Sequence, residues 1–184
     1  MSNAELPRSV DPFKLAEQEG TLEGVIPLER LTRLKECLWD DQATAATQVC
    51  QASLTFGKDD ERRRIVSGQV EATVTMQCQR CMGPMPVSLA SEFRLGLVTS
   101  DEQAQQLPKQ LEPFLTEDLR ADIWSMVEDE LLLVLPPYPL HERDECPATE
   151  TLEALEPDDS APVPDEEKRE NPFSVLADLK SKKH

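Results

Sequence analysis

Apolar and polar side chains alternate with period two along three successive runs of the chain. Cys50, Ala52, Leu54 and Phe56 fall on one side, with Gln51, Ser53 and Thr55 on the other, the pattern of a half-buried strand. The next run sets Val66, Val70, Ala72, Val74, Met76 and Cys78 against Ser67, Gln69, Glu71, Thr73 and Gln77. A third gathers Val87, Leu89, Phe93, Leu95 and Leu97. Three strands in sequence joined by short links predict an antiparallel meander.

Around these runs the period lengthens. Asp11-Pro12 is a capping residue followed by a first-turn proline, and Gly20 closes the short helix they open. Positions 21–26 read as a brief strand. Leu28, Leu31, Leu34 and Leu38 repeat at helical spacing and predict a helix over 27–38, with Cys37 beside the apolar stripe. Leu119, Ile123, Met126, Val127 and Val134 predict a second, longer helix over 117–135. Its end is apolar nearly all round and stops at Pro136-Pro137, so that end is expected to pack on the sheet. Within it, Glu128-Asp129-Glu130 point in three directions and read as a solvated face, not as carboxylates converging on a metal.

The chain has 184 residues, room for one domain and its extensions. Residues 1–146 are read as a single α+β domain. In it an antiparallel sheet of about four to six strands, or a partly closed barrel, carries helices mainly on one side. Past Pro147 the periodic pattern stops. The stretch 147–171 holds four prolines and nine acidic residues against Lys168 and Arg169. Such a composition buries too little apolar surface to offset chain entropy. Residues 147–170 are therefore expected to form a flexible acidic tether, a disordered tail to the fold. Residues 171–184 follow as a short docking helix: Asn171 caps it, Pro172 takes the first turn, and Phe173, Leu176 and Leu179 form its apolar edge. A helix this short needs a surface to pack on.

Charge changes the choice of partner. The formal net charge is −17, a field that repels polyphosphate and attracts basic surfaces. The tether's excess of seven acidic residues accounts for less than half of it, so the folded part is acidic as well. No basic stretch joined to an apolar run opens the chain, and no window approaches a membrane-spanning length. A soluble, cytoplasmic protein without membrane contact is the expectation.

Five cysteines, Cys37, Cys50, Cys78, Cys81 and Cys146, are too scattered for a disulfide framework and point to reduced thiols or a metal site. Cys78-Gln79-Arg80-Cys81 sits where the second strand turns into the third. A Cys-x-x-Cys turn can aim two thiolates at one zinc ion, and His141 and Cys146 are the further donors at plausible spacing. Cys78, Cys81, His141 and Cys146 thus form a candidate Cys₃His set for structural zinc, the one cofactor the sequence raises. The competing reading makes Cys78 a buried strand end, Cys81 a turn thiol and His141 a solvated loop residue. Redox chemistry fits less well, because a reactive pair gains its low thiol pKa at a helix amino terminus and this motif links two strands.

Arg62, Arg63 and Arg64 crown the first hairpin and Arg80 lies in the second turn, four candidate contacts for RNA phosphates. The other reading is that they balance Asp59, Asp60 and Glu61 in a solvated turn. No Gly-rich phosphate loop and no Gly-x-Ser-x-Gly elbow occurs, and the two histidines are His141 and His184, so a non-enzymatic role is expected.

Three segments in order resemble one family. They are the strand ending Met76-Gln77-Cys78-Gln79-Arg80-Cys81, the stretch Met126-Val127-Glu128-Asp129-Glu130-Leu131-Leu132-Leu133-Val134-Leu135-Pro136, and Asn171-Pro172-Phe173-Ser174-Val175-Leu176-Ala177-Asp178-Leu179-Lys180. Together with an Asp-Pro near the start and a Ser100-Asp101-Glu102-Gln103-Ala104 loop, they resemble the YceD family over nearly the whole chain. The resemblance implies a role in accumulation of large-subunit ribosomal RNA and ribosome biogenesis. A basic ribosomal protein or assembly factor of the large subunit is then the expected partner, with direct binding of precursor ribosomal RNA as the alternative. Glycine often follows the second cysteine in that family. Here Met82 takes the position and Gly83 comes one later, removing a residue that relieves backbone crowding in a metal-binding turn.

Overall fold

The computed structural model describes residues 4–39, 48–116 and 119–155. Contacts divide the chain into two units, Met1–Pro147 and Ala148–His184. In the first unit the chain forms β1 (Ser9–Val10), α1 (Pro12–Glu17), β2 (Thr21–Pro27), a 3-10 turn (Leu28–Arg30) and α2 (Thr32–Glu36). It continues with β3 (Val49–Lys58), β4 (Arg64–Gln77), β5 (Pro84–Val98), α3 (Asp101–Gln105), β6 (Glu112–Leu115), β7 (Ala121–Asp122) and α4 (Ile123–Leu133). The described part of the second unit contains α5 (Thr149–Glu153), inside the stretch expected to be a tether. Asn171, Pro172, Phe173, Leu176, Leu179 and the rest of the acidic tail lie outside the described residues.

The fold is α+β, built on a five-stranded sheet in the order β2-β3-β4-β5-β6, which is open and does not close into a barrel. The three alternating runs become β3, β4 and β5, antiparallel from Cys50↔Ala72 to Lys58↔Arg64 and from Ile65↔Gly96 to Gln77↔Pro84. β2 adds antiparallel to β3 and β6 adds parallel to β5. A parallel edge strand of four residues carries too little pattern to read from sequence. β1 and β7 pair in a separate two-stranded ribbon.

Alternation sends one face of the sheet into the core. Ile26, Cys50, Leu54, Phe56, Val66, Val70 and Val74 are buried there together with Ala16 of α1, Leu34 of α2 and Ile123, Met126, Val127 and Leu131 of α4. All three helices therefore lie on one side, each driven there by its apolar stripe. On the opposite face, α3 and the loop after it cover one end of the sheet. A Cβ on Gly96 would lie 2.7 Å from Leu107 Cδ1, so glycine is what lets that loop close down.

The helix starts follow their capping residues. The Asp11 carboxylate accepts the Lys14 N–H at 2.9 Å, with Pro12 in the first turn. Asp122 accepts the Ser125 N–H and starts α4. The two helices expected from leucine spacing are both shorter than the pattern. Over 27–38 the backbone of Leu31, at φ −90° and ψ 85°, divides a 3-10 turn from α2. Leu28, Leu31 and Leu34 are all buried nonetheless, because i, i+3 spacing suits a tight turn as well as a helix. Over 117–135 the helix begins only at Ile123, since Ala121 and Asp122 are held in extended pairing with Val10 and Ser9. Leu119 has φ +57° and is exposed. At the other end Leu131 is buried but Leu133 is 74% exposed, so only one side of that apolar turn meets the core.

Candidate metal centre

Cys78 follows the last residue of β4, on the inward side that Val74 and Met76 share, and is fully buried. Beyond it the chain reverses in a tight turn: the Cys78 N–H donates to the Gly83 carbonyl and the Met82 N–H to the Cys78 carbonyl, both at 2.8 Å. Met82 completes the reversal at φ +61°, the left-handed region in which glycine is at ease. The turn brings Cys81 back toward Cys78.

The second half of the site comes from beyond α4. Pro136 and Pro137 stop the helix, and the loop folds back until the Pro139 carbonyl accepts the Gln79 N–H at 2.9 Å. The Gln79 side-chain amide also donates to the Pro137 carbonyl at 3.4 Å. These bonds set His141 and Cys146 beside the turn. The Cys81 Sγ lies 3.4 Å from His141 Nδ1, and the His141 N–H donates to Cys78 Sγ at 3.5 Å.

The donor atoms of Cys78, Cys81, His141 and Cys146 all lie within 4.8 Å of one another. A tetrahedron with Zn–S arms of about 2.3 Å has edges of about 3.8 Å, so separations of up to 4.8 Å need close by no more than about 1 Å to reach that geometry. Three soft sulfurs and one imidazole nitrogen also match the chemistry of a zinc site. The four residues named from spacing are thus brought together, and they can hold a metal ion. Burial disfavours ionisation of Cys78, but N–H groups of Cys81, His141 and Arg80 donate to its sulfur and hold the thiol down at about 5. The Gly83 N–H lowers Cys81, whereas burial and the neighbouring Cys78 and Cys146 sulfurs outweigh it and push Cys81 up. One thiolate braced by N–H donors beside a Cys81 thiol that resists a second negative charge is an arrangement a divalent cation relieves. Cys50 stands apart, its thiol raised to about 12 by burial.

The arginines named from sequence are not brought together. Arg62, Arg63 and Arg64 sit where β3 turns into β4, and Arg80 where β4 turns into β5. The intervening 14-residue strand spans on the order of 45 Å. Arg63 pairs with Asp59 at 2.6 Å and Glu61 at 2.9 Å, and Arg64 pairs with Glu17 at 2.9 Å. Arg80 donates to the His141 carbonyl at 3.5 Å, bracing the loop that carries the metal donors.

The acidic run on α4 is where sequence reasoning missed most. Glu128 and Glu130 are 5% and 8% exposed, not solvated. Glu128 accepts the N–H groups of Arg33 and Leu34 at the start of α2, and Glu130 accepts the Ser91 hydroxyl at 3.1 Å. The helical period held the clue for Glu130, which falls on the face of Ile123, Val127 and Leu131. Among the described residues no buried side-chain nitrogen or oxygen lacks a hydrogen-bond partner.

Comparison with known proteins covers both halves of the four-donor cluster. A family model described as large ribosomal RNA subunit accumulation protein YceD matches residues 66–180, more than half of the chain. A Haemophilus influenzae protein named large ribosomal RNA subunit accumulation protein YceD is 34% identical over 185 residues, spanning 99% of this chain and 100% of its own length. No solved structure matches. On a match of that extent and a relative aligned from end to end, the chain belongs to the YceD family.

Proposed function

We propose that this protein is a non-enzymatic accessory factor in the cytoplasm that supports accumulation of large-subunit ribosomal RNA and assembly of the large subunit. The role for which its family and its Haemophilus influenzae relative are named motivates the biological half of this reading. The physical half is that it binds a basic ribosomal or assembly protein, stabilised in its fold by one structural zinc ion held by Cys78, Cys81, His141 and Cys146.

The convergence of those four donors within 4.8 Å carries the zinc reading. Four protein ligands fill a tetrahedral shell and leave no position for a reacting water, which is how structural zinc differs from catalytic zinc. A bound ion would cross-link the β4–β5 turn to the loop after α4 and so fix two distant parts of the sequence. The Cys81 Sγ, His141 Nδ1 and Cys146 Sγ would be its ligands beside the Cys78 thiolate.

A cationic protein partner is favoured over naked RNA by charge. The net charge of −17 opposes phosphate, and Arg63 and Arg64 are already engaged by carboxylates. Among the described residues no helix is long and apolar enough to cross a membrane.

Deleting the gene and measuring the ratio of large- to small-subunit ribosomal RNA, with ribosome profiles on a sucrose gradient, tests the role. A fall in the ratio restored by the intact gene is expected. An unchanged ratio during growth would overturn it.

A further inference from the structure

The outer face of the sheet carries a pattern that the core does not explain. Helices α1, α2 and α4 occupy the inner face, and Leu107 and Leu111 cover one end of the outer face around Gly96. No described element packs on the remainder. Pairing registers arrange its outward side chains in rows. One row crosses four strands as Glu23, Ser53, Gln69 and Glu92, and the next as Val25, Gln51, Glu71 and Ala90. Flanking rows hold Thr21, Thr55, Ser67 and Arg94 on one side and Thr73 and Ser88 on the other.

Short hydroxyl residues between longer ones make this surface concave. A hollow of about 250 Å³ lies between Glu23, Gln51, Ser53, Gln69 and Glu71. A second of about 410 Å³ lies among Gln51, Glu71, Thr73, Ser88 and Ala90. They share Gln51 and Glu71, so they form one trough running across the strands.

We infer that this trough is the docking surface for the cationic partner, and that it takes an extended segment with lysine or arginine at alternate positions. The inference rests on the proposed binding role and names the place where binding occurs. Glu23 and Glu71 line the trough and Glu92 flanks it, opposite the lining residue Gln69; all three are exposed and outnumber Arg94, which makes the trough and its edge negative and complementary to such a segment. The Gln69 amide donates to Glu92 at 3.1 Å and fixes its carboxylate. Glu71 and Glu92 are diagonal neighbours across β4 and β5, roughly 7–8 Å apart. Alternate side chains of an extended chain are separated by about 6.8 Å, so two cations at that spacing meet the two carboxylates together. Gln51, Ser53, Gln69, Thr73 and Ser88 offer donors and acceptors to the segment's backbone. Nucleic acid suits the same surface poorly, because phosphates would face three carboxylates.

The test uses the full chain and a fluorescent peptide alternating lysine with serine, read by anisotropy at about 100 mM salt, where exposed charges beyond ~10 Å are screened. Changing Glu23, Glu71 and Glu92 together to Lys is expected to weaken binding by about tenfold or more. Changing the exposed Glu29, Glu36 and Asp60 to Lys alters net charge equally and is expected to weaken it by less than about threefold. Circular dichroism checks folding, and Glu→Gln changes at the three trough positions give a milder second variant whose loss of affinity is expected to be smaller but measurable. Equal losses in the two Lys sets, or an unaltered affinity in the trough variants, would overturn the trough. Failure of the unaltered chain to bind the peptide would instead overturn the cationic-partner reading on which the trough rests.

Discussion

The Glu128 carboxylate holds Arg33 at two points: the Arg33 N–H donates to Oε1 at 2.8 Å, and Arg33 Nε donates to Oε2 at 3.0 Å. Oε1 also accepts the Leu34 N–H, so one buried side chain of α4 satisfies two unpaired donors at the start of α2. Glu128→Ala is expected to lower unfolding free energy by about 2–4 kcal/mol, the cost of stranding such donors and a charge. Glu128→Gln, which keeps one acceptor, is expected to cost less. Urea titration of both variants checks the order, and a cost below about 0.5 kcal/mol for the alanine variant would contradict the role.

Met82 pays for its left-handed backbone, which costs a non-glycine residue about 1–2 kcal/mol, and its side chain is 59% exposed. Glycine would remove that strain while giving the unfolded chain more freedom, at about 0.5–1 kcal/mol. Met82→Gly is therefore expected to stabilise the protein by up to about 1 kcal/mol in thermal or urea unfolding. Clear destabilisation would mean that the Met82 side chain contributes more than its exposure implies.

Burial raises Glu130 above the usual carboxyl value of 4.5, and Glu112 and Asp129 add to the rise against the Ser91 hydrogen bond. A carboxyl raised in the folded state holds its proton longer there than in the unfolded chain, so its contribution to stability falls as pH climbs through the interval between the two values. Glu130→Gln cannot ionise. Relative to the unaltered protein, the Gln variant is expected to gain stability from below pH 4.5 upward and then level off. Denaturant midpoints across pH measure this, and a difference independent of pH would count against it.

Gly24 is held by the amino-terminal segment. A Cβ there would sit 2.3 Å from the Ala4 carbonyl oxygen, which accepts the Val25 N–H at 2.9 Å. Gly24→Ala must push that backbone away and is expected to cost about 1–3 kcal/mol. Faster amide exchange at Val25 and Leu6 would accompany it. Unchanged exchange at both would show that the segment does not depend on the glycine.

Much of this architecture is legible in the residues themselves. Period-two alternation from Cys50 to Leu97 was enough for β3, β4 and β5, because one buried face fixes both pleat and register. Asp11-Pro12 marked α1 through local capping chemistry. Long-range partners were not legible. Ala121 and Asp122 carry helix-like spacing yet are held extended by Ser9 and Val10, more than a hundred positions away. Glu128 looks solvated until α2 supplies its donors. At the candidate metal centre, the Cys-x-x-Cys turn and the prolines after α4 pointed to all four clustered donors. What brings them together is the bond from Gln79 to Pro139, which no spacing rule reveals.

Zinc content of the natively purified protein tests the account most directly. Elemental analysis is expected to find one zinc per chain, lost when Cys78 and Cys146 are both changed to Ser, with X-ray absorption showing three sulfurs near ~2.3 Å and one nitrogen near ~2.0 Å. A chain purified without chelator that carries no zinc, and takes up none when it is supplied, would contradict the account.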